Sequence, residues 1–159
     1  MLISGYKVRG VAMNFFEGIM NNNVFAAAFI AWFIAQVLKV ILTFVLEGRL
    51  NIYRMIGSGG MPSSHSSFVM GMSTAVGLVS GWNSPEYAIA LVISLIVMYD
   101  ASGVRRAVGK QAIILNNIID DLYHHKPVAQ DKLKELVGHT PVEVFAGAIL
   151  GIVVANFIV

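Results

Sequence analysis

The chain has 159 residues, of which 57% are hydrophobic and only 13% are charged, and its net charge is +2. Soluble domains carry about 25% charged residues, so this composition, with a mean hydropathy of +0.73, excludes an ordinary soluble domain. The small net charge argues against a nucleic-acid partner, and the absence of cysteine excludes a disulfide framework and thiolate metal sites. The length suits one domain, so we expect residues 1–159 to form a single membrane domain.

The N-terminal segment contains a short amphipathic stretch, residues 10–20, that predicts a helix lying at the membrane interface. Lys7 and Arg9 lie far before the first long apolar run, near Val24, so we expect no removable signal peptide. A membrane-crossing helix needs about 20 predominantly apolar residues. Four apolar stretches reach or approach this length, and the sequence predicts spans near 24–46, 66–82, 86–100 and 141–159.

The polar region at 101–140 keeps a helical apolar pattern up to residue 122, and Pro127 then predicts a break before a short soluble helix. The sequence therefore predicts an all-α integral membrane helical bundle. It has about four transmembrane helices, an N-terminal interfacial helix and a helical cytoplasmic loop.

Four spans place both termini on one side of the membrane and the loops 47–65 and 100–140 on the other. Eight of the eleven Lys and Arg residues fall in these two loops: Arg49, Arg54, Arg105, Arg106, Lys110, Lys126, Lys132 and Lys134. The positive-inside rule then predicts a multi-pass protein of the cell membrane with these loops, and the candidate site on them, in the cytoplasm.

The stretch GGMPSSHSSFVMG, residues 59–71, places several hydroxyls and His65 at the start of an apolar helix. One interpretation is a plain loop in which Ser63 or Ser64 caps the helix. The other is a phosphate site, because the free N–H groups and the positive end of a helix dipole bind anions. His65 adds a titratable proton donor.

The stretch GHTPVEVFAGAILG, residues 138–151, also has two interpretations. Thr140 and Glu143 form a capping-box pattern around Pro141, which requires nothing of the preceding histidine. Alternatively, Glu143 orients His139 four residues earlier, and an oriented imidazole is competent as a nucleophile or a base.

Charged residues near the membrane complete the candidate site. Lys39 lies inside its span, where a cation costs about 2.5–3.5 kcal/mol, although its side chain is long enough to reach the surface. Asp100, Arg105, Arg106 and Lys110 close the third span, either as interfacial anchors or as an anion clamp. His124 and His125 beside Asp120 and Asp121 favour a solvated polar patch over a metal site, so we expect no metal and no cofactor.

Lys39, the 59–67 loop, the 100–110 segment and the 139–143 segment share one membrane face in the four-span arrangement. Random placement does not favour this, so we expect the four segments to converge on one pocket.

The motif PSSH, residues 62–65, resembles the PSGH motif of the type 2 phosphatidic acid phosphatase superfamily, and GHTPVEVFAG resembles its third motif. Together with YDASGVRRAVGKQA, residues 99–112, they resemble a small, divergent membrane branch of that superfamily, over Gln36 to Gly151. The resemblance implies metal-independent hydrolysis of a lipid phosphate or pyrophosphate in the bilayer.

By this resemblance His139 is the nucleophile that forms a phosphohistidine, and His65 protonates the leaving oxygen. Lys39, Ser63 and the Ser64 backbone bind phosphate oxygens. Leu46 and Lys134 stand where the family motifs have arginine, and we expect Arg105 or Arg106 to replace that clamp in space.

Two other functions fit the same sequence. One is a lipid head-group or anion-binding membrane protein without turnover. The other is a structural subunit of a membrane complex, or a homo-oligomer, that uses the small-residue faces at 71–77 and 146–151.

Overall fold

A computed structural model of the chain describes residues 15–48, 59–122 and 138–159. All secondary structure within these ranges is helical, which confirms the predicted all-α class. The helices are α1 (Phe15–Met20), α2 (Asn23–Glu47), α3 (Ser64–Ser80), α4 (Pro85–Ser102), α5 (Val104–Leu122) and α6 (Pro141–Ile158).

The helix boundaries follow from capping residues. The side-chain oxygens of Asn22, Ser63, Ser84 and Thr140 each accept a hydrogen bond from the first turn of the helix that follows. Proline occupies the first position of α4 and of α6, where its missing N–H is not needed. The predicted helix at 10–20 is described only from Phe15, and the predicted break at Pro127 and the short helix after it lie outside the described residues.

Three of the four predicted spans are long and apolar enough to cross a membrane: Asn23–Leu46, Pro85–Ile119 and Pro141–Ile158. The second of these combines α4 and α5, which are separated by a turn at Gly103. The fourth predicted span is α3, a shorter helix of 17 residues. It packs against α2, α4 and α6 and so forms the centre of the bundle.

Small residues allow α3 to approach its neighbours closely. At Gly71 an added Cβ would lie 3.1 Å from the Ala31 methyl and 3.3 Å from the Ala27 carbonyl oxygen, both on α2. On α6, a Cβ at Gly147 would collide with the Ser63 carbonyl oxygen, and one at Gly151 with that of Ser67. Such backbone contact is how helices associate in a membrane, where apolar side chains gain little by leaving the lipid.

The small-residue faces therefore pack against one another within the chain. Gly71, Gly147 and Gly151 are used in this way. The binding of another subunit or a second copy remains a prediction.

Two buried serine hydroxyls inside the bundle donate to backbone carbonyls of neighbouring helices. The Ser67 hydroxyl donates to the Ala31 carbonyl at 2.9 Å, and the Ser94 hydroxyl donates to the Val69 carbonyl at 2.9 Å and the Ala90 carbonyl at 2.8 Å. Large apolar side chains lie on the outside instead, and Phe157 on α6 is 85% exposed. This inverted surface suits a lipid environment.

We expect Gly151→Ala to destabilise the bundle, because the new methyl would overlap the Ser67 carbonyl and overpacking costs about 1–3 kcal/mol. Gly18→Ala is the matched control, since nothing lies within 4 Å of a Cβ there. Thermal unfolding in detergent should show a lower Tm for Gly151→Ala and no decrease for Gly18→Ala. An unchanged Tm for Gly151→Ala would contradict the close α3–α6 contact.

Candidate active site

The candidate site lies at one end of the bundle, where α3 and α6 begin and α4 ends. The Ser63 N–H donates to the Glu143 carbonyl at 2.9 Å, which ties the start of α3 to the first turn of α6. The His139 N–H donates to the Ala101 carbonyl at 3.0 Å, which ties the segment before α6 to the end of α4. Backbone contacts therefore hold the two histidine-bearing segments in place.

His139 is buried, with only 2% of its surface exposed. Its Nδ1 lies 3.1 Å from Glu143 Oε2. The same carboxylate oxygen accepts the Thr140 N–H at 3.0 Å, and the Thr140 hydroxyl accepts the Glu143 N–H at 3.3 Å. The capping box and the oriented histidine, which the sequence presented as alternatives, are thus both present and share one oxygen.

The two histidines face each other. Their ring centroids are 6.1 Å apart and their planes are inclined by 65°. His139 Nε2 and His65 Nδ1 are buried and have no hydrogen-bond partner in the described part of the chain. Buried polar atoms are nearly always paired, so two such nitrogens on adjacent rings indicate a place for a ligand.

The protonation of His139 is set by opposing effects. Burial, helped by the positive charge of Lys39, lowers its pKa below the ordinary value of 6.5, while the hydrogen bond and the charge of Glu143 and a backbone contact with Gly60 act to raise it. The lowered pKa favours the neutral imidazole near pH 7. With Nδ1–H donated to Glu143, the lone pair of a neutral ring is on Nε2.

Lys39 is the buried cation of the site, with 1% of its surface exposed. Its Nζ donates to the Gln36 side-chain oxygen at 2.9 Å, and Gly60 covers its aliphatic stem, since an added Cβ there would lie 3.4 Å from Lys39 Cγ. Lys39 lies close enough to act electrostatically on both His65 and His139. The alternative in which its side chain reaches the surface is wrong.

Sequence reasoning assigned no role to Gln36 or Gly60. Gln36 lies three residues before Lys39 in an otherwise apolar span. Residues at this spacing are neighbours on a helix, so the sequence did indicate the hydrogen bond between them.

Ser63 is the N-cap of α3, as in one of the two interpretations of this stretch. Its hydroxyl accepts from the Ser66 N–H at 3.3 Å and from the Ser66 hydroxyl at 3.0 Å, and it is fully buried. Ser64 is also buried, at 5% exposure. The N–H groups of Ser64 and His65 precede the capped Ser66 N–H, and N–H groups at the start of a helix are the kind that bind anions.

The other charged residues predicted for the site are Asp100, Arg105, Arg106 and Lys110. Arg105 Nε donates to Asp100 Oδ2 at 2.8 Å, both side chains being about two-fifths exposed, and Arg105 acts electrostatically on His65. Lys110 is exposed on α5 and has no described contact with the site. The side chain of Arg106 lies outside the described residues.

No group of three His, Cys, Asp or Glu side chains is gathered for a metal ion within residues 15–48, 59–122 and 138–159. His124 and His125 lie outside these ranges, as do the side chains of Asp120 and Asp121.

The fold is a helical membrane bundle in which the buried His139 lies beside the half-buried His65 and near the buried Lys39. The Divergent PAP2 family matches residues 20–154, so the chain belongs to that family. It is similar to the uncharacterized membrane protein YuiD of Bacillus subtilis (strain 168), with 37% identity over 145 residues, which cover 84% of this chain and 92% of that protein. No solved structure matches.

We expect Lys39→Met to weaken the binding of inorganic phosphate. A hydrogen bond to a charged group contributes about 1.5–3 kcal/mol, so the apparent Kd should rise by about tenfold to a hundredfold. Lys110→Met removes the same charge from an exposed position and is the matched control. The rise of Tm with added phosphate should be lost in the first variant and kept in the second. Equal responses in both variants would contradict a phosphate site at Lys39.

Proposed function

We propose that the protein is a membrane phosphatase that hydrolyses a lipid phosphate or pyrophosphate through a phosphohistidine on His139. The observation that carries this proposal is the buried His139 ring, whose Nδ1 is held by Glu143 while its buried Nε2 has no side-chain partner among the described residues and the Gly60 backbone lies near the ring. That arrangement presents a neutral, oriented nitrogen to a substrate. Membership of the Divergent PAP2 family supports the same chemistry.

In the first step, the lone pair of His139 Nε2 attacks phosphorus, forming the N–P bond as the bond from phosphorus to the leaving oxygen breaks. His65, acting as the acid, transfers its proton to that oxygen, so the lipid leaves as an alcohol or as a monophosphate. The positive charge on the attacking ring is stabilised by the Glu143 carboxylate. The 6.1 Å between ring centroids is short enough for both rings to contact one phosphoryl group.

In the second step, water attacks the phosphohistidine, the N–P bond breaks, and inorganic phosphate is released. The proton lost by water returns to His65, and the electron pair of the broken bond returns to His139 Nε2. Both histidines are then in their starting states. Lys39 and the N–H groups at the start of α3 neutralise the phosphate oxygens during both steps.

The position of the site supports a lipid substrate. Lys39 is on α2 and the segment that carries His139 leads into α6, and both helices are long and apolar enough to cross a membrane. A phosphate attached to a lipid is already held at the ends of such helices, so the bilayer brings it to the histidines.

A second candidate function is lipid head-group binding without turnover. The observation that favours it is the ion pair between Arg105 and Asp100. Arg105 was one of the two arginines expected to bind phosphate oxygens, and in this ion pair it binds a carboxylate instead. Phosphate release from a short-chain phosphatidic acid by the purified protein distinguishes the two functions. Release favours the phosphatase, and binding without release favours the head-group protein.

We expect Glu143→Gln to reduce the rate of phosphate release by about 10²-fold or more, because positioned acid–base partners typically contribute 10²–10⁴. Glutamine still serves a capping box, so the Tm should change little. Because Glu143 raises the pKa of His139, its neutralisation should also move the acid limb of the pH–rate profile to lower pH.

The matched control for this variant is Glu86→Gln, which neutralises a carboxylate that also follows a proline in the first turn of a helix. It should leave the rate and the profile unchanged. His139→Ala should abolish turnover. Near-native hydrolysis by His139→Ala, in a preparation free of other phosphatases, would show that the catalytic assignment is wrong.

We propose that the site faces the cytoplasm, on the basis of the eight basic residues in the loops 47–65 and 100–140. Asn116 is buried, so the exposed Asn117 on α5 is the better position for a probe in this chain without cysteine. Asn117→Cys should resist impermeant thiol reagents in intact cells. Asn83→Cys, at the opposite end of α3, should react. The reverse labelling pattern would invert the orientation.

A further inference from the structure

An apolar groove of about 270 Å³ lies between α2, α3 and α4. Aromatic and branched aliphatic side chains form most of its wall, and a histidine forms one end. The lining residues are Phe29, Trp32, His65, Phe68, Val69 and Val97.

The groove is continuous with the candidate active site through His65. The His65 ring lies 6.1 Å from His139, centroid to centroid, and His65 is also among the residues that line the groove. A molecule lying in the groove therefore ends at the histidine pair.

The same groove opens toward the lipid. Phe29 and Trp32 are 54% and 40% exposed on α2, a helix long and apolar enough to cross a membrane. Trp32 precedes Lys39 by seven residues, about 10 Å of helix. The groove thus runs from the level of the site toward the middle of the span, which is the direction a lipid tail takes from its head group.

We propose that this groove seats one hydrocarbon chain of the lipid phosphate whose head group lies between His65 and His139, an inference that rests on the proposed function. Small-molecule pockets have about 300–1,000 Å³, so this volume accommodates part of one chain and not two. Lipid tails are as apolar as the groove, so moving a chain from the bilayer into the groove gains little hydrophobic free energy. The groove instead fixes the position of the lipid. Positioning of the phosphorus atom is what the in-line attack requires.

A second groove provides the comparison. It has about 330 Å³, lies between α2 and α6, and is lined by Leu38, Leu42, Met61, Pro62, Ala146, Ile149, Leu150 and Val153. Neither histidine is among these residues, whereas His65 lines the first groove. Valine lines both grooves, at Val97 in the first and Val153 in the second, which allows the same substitution in each.

The two tryptophans of the chain make the proposal measurable. Trp82→Phe leaves Trp32, which lines the groove, as the only tryptophan, and Trp32→Phe leaves Trp82, which packs near Tyr87 at the other end of α3. The probe is a phosphonate analogue of phosphatidic acid, which cannot be hydrolysed, with bromine on one acyl chain. Bromine quenches tryptophan fluorescence only at close range. The analogue is added at low mole fraction to nanodiscs of unbrominated phosphatidylcholine.

We expect the brominated analogue to quench Trp32 more than the same fraction of brominated phosphatidylcholine does, and to show no such excess at Trp82. Unbrominated analogue should abolish the excess by competition. In the Trp82→Phe background, Val97→Phe fills the groove and should remove the excess, whereas Val153→Phe should keep it. All of the variants should remain folded by their Tm.

Equal quenching by the two brominated lipids would overturn the proposal, as would an excess that survives Val97→Phe or is lost in Val153→Phe. These outcomes are independent of the test of hydrolysis. Excess quenching at Trp32 without phosphate release would support the hydrocarbon-chain site and contradict the phosphatase activity. Phosphate release without excess quenching would support the phosphatase activity and contradict the hydrocarbon-chain site.

Discussion

The site depends on the contact between the starts of α3 and α6. The Ser63 N–H bonds to the Glu143 carbonyl, and the absence of a side chain at Gly147 lets the Ser63 carbonyl pack directly on α6. A membrane interior offers little hydrophobic free energy for holding helices together, so this backbone contact cannot be replaced by larger apolar side chains. It fixes the separation of His65 and His139.

Glu143 connects the fold to the proposed chemistry. One of its oxygens accepts both the Thr140 N–H, which starts α6, and a hydrogen bond from His139. Glu143, in the first turn of the helix, therefore also orients the ring of the histidine before it. Burial of His139 lowers the pKa of that ring and so favours its neutral form, because desolvation disfavours the charged form.

Much of the fold was predictable because, in a chain this apolar, a bilayer restricts the secondary structure to long apolar helices. The ends of these helices are marked in the sequence by prolines and capping residues. Pro85, Pro141 and the serine and threonine caps gave the starts of three helices to within a few residues. The convergence of Lys39, His65 and His139 was also predictable, since alternate spans return to the same face. The central position of α3 was not predictable, because its small, polar residues are compatible both with a short membrane span and with a helix packed inside the bundle.

Other features of the site depend on distances that a single sequence does not contain. Spacing alone could not show that Glu143 both caps a helix and holds a histidine, since the two interpretations use the same residues. Nor could it show that Arg105 pairs with Asp100, because the turn at Gly103 sets their relative position. The apolar groove beside His65 arises from three separate helices and has no signature in any one of them.

The most direct test of the account is to identify the phosphorylated residue. The purified protein should be mixed with a short-chain phosphatidic acid, quenched within the first turnovers at neutral to alkaline pH, and analysed by peptide mass spectrometry. The account predicts a phosphoryl group on His139 that appears before free phosphate accumulates. A phosphoryl group on His65, or phosphate release with no phosphohistidine on either ring, would contradict it.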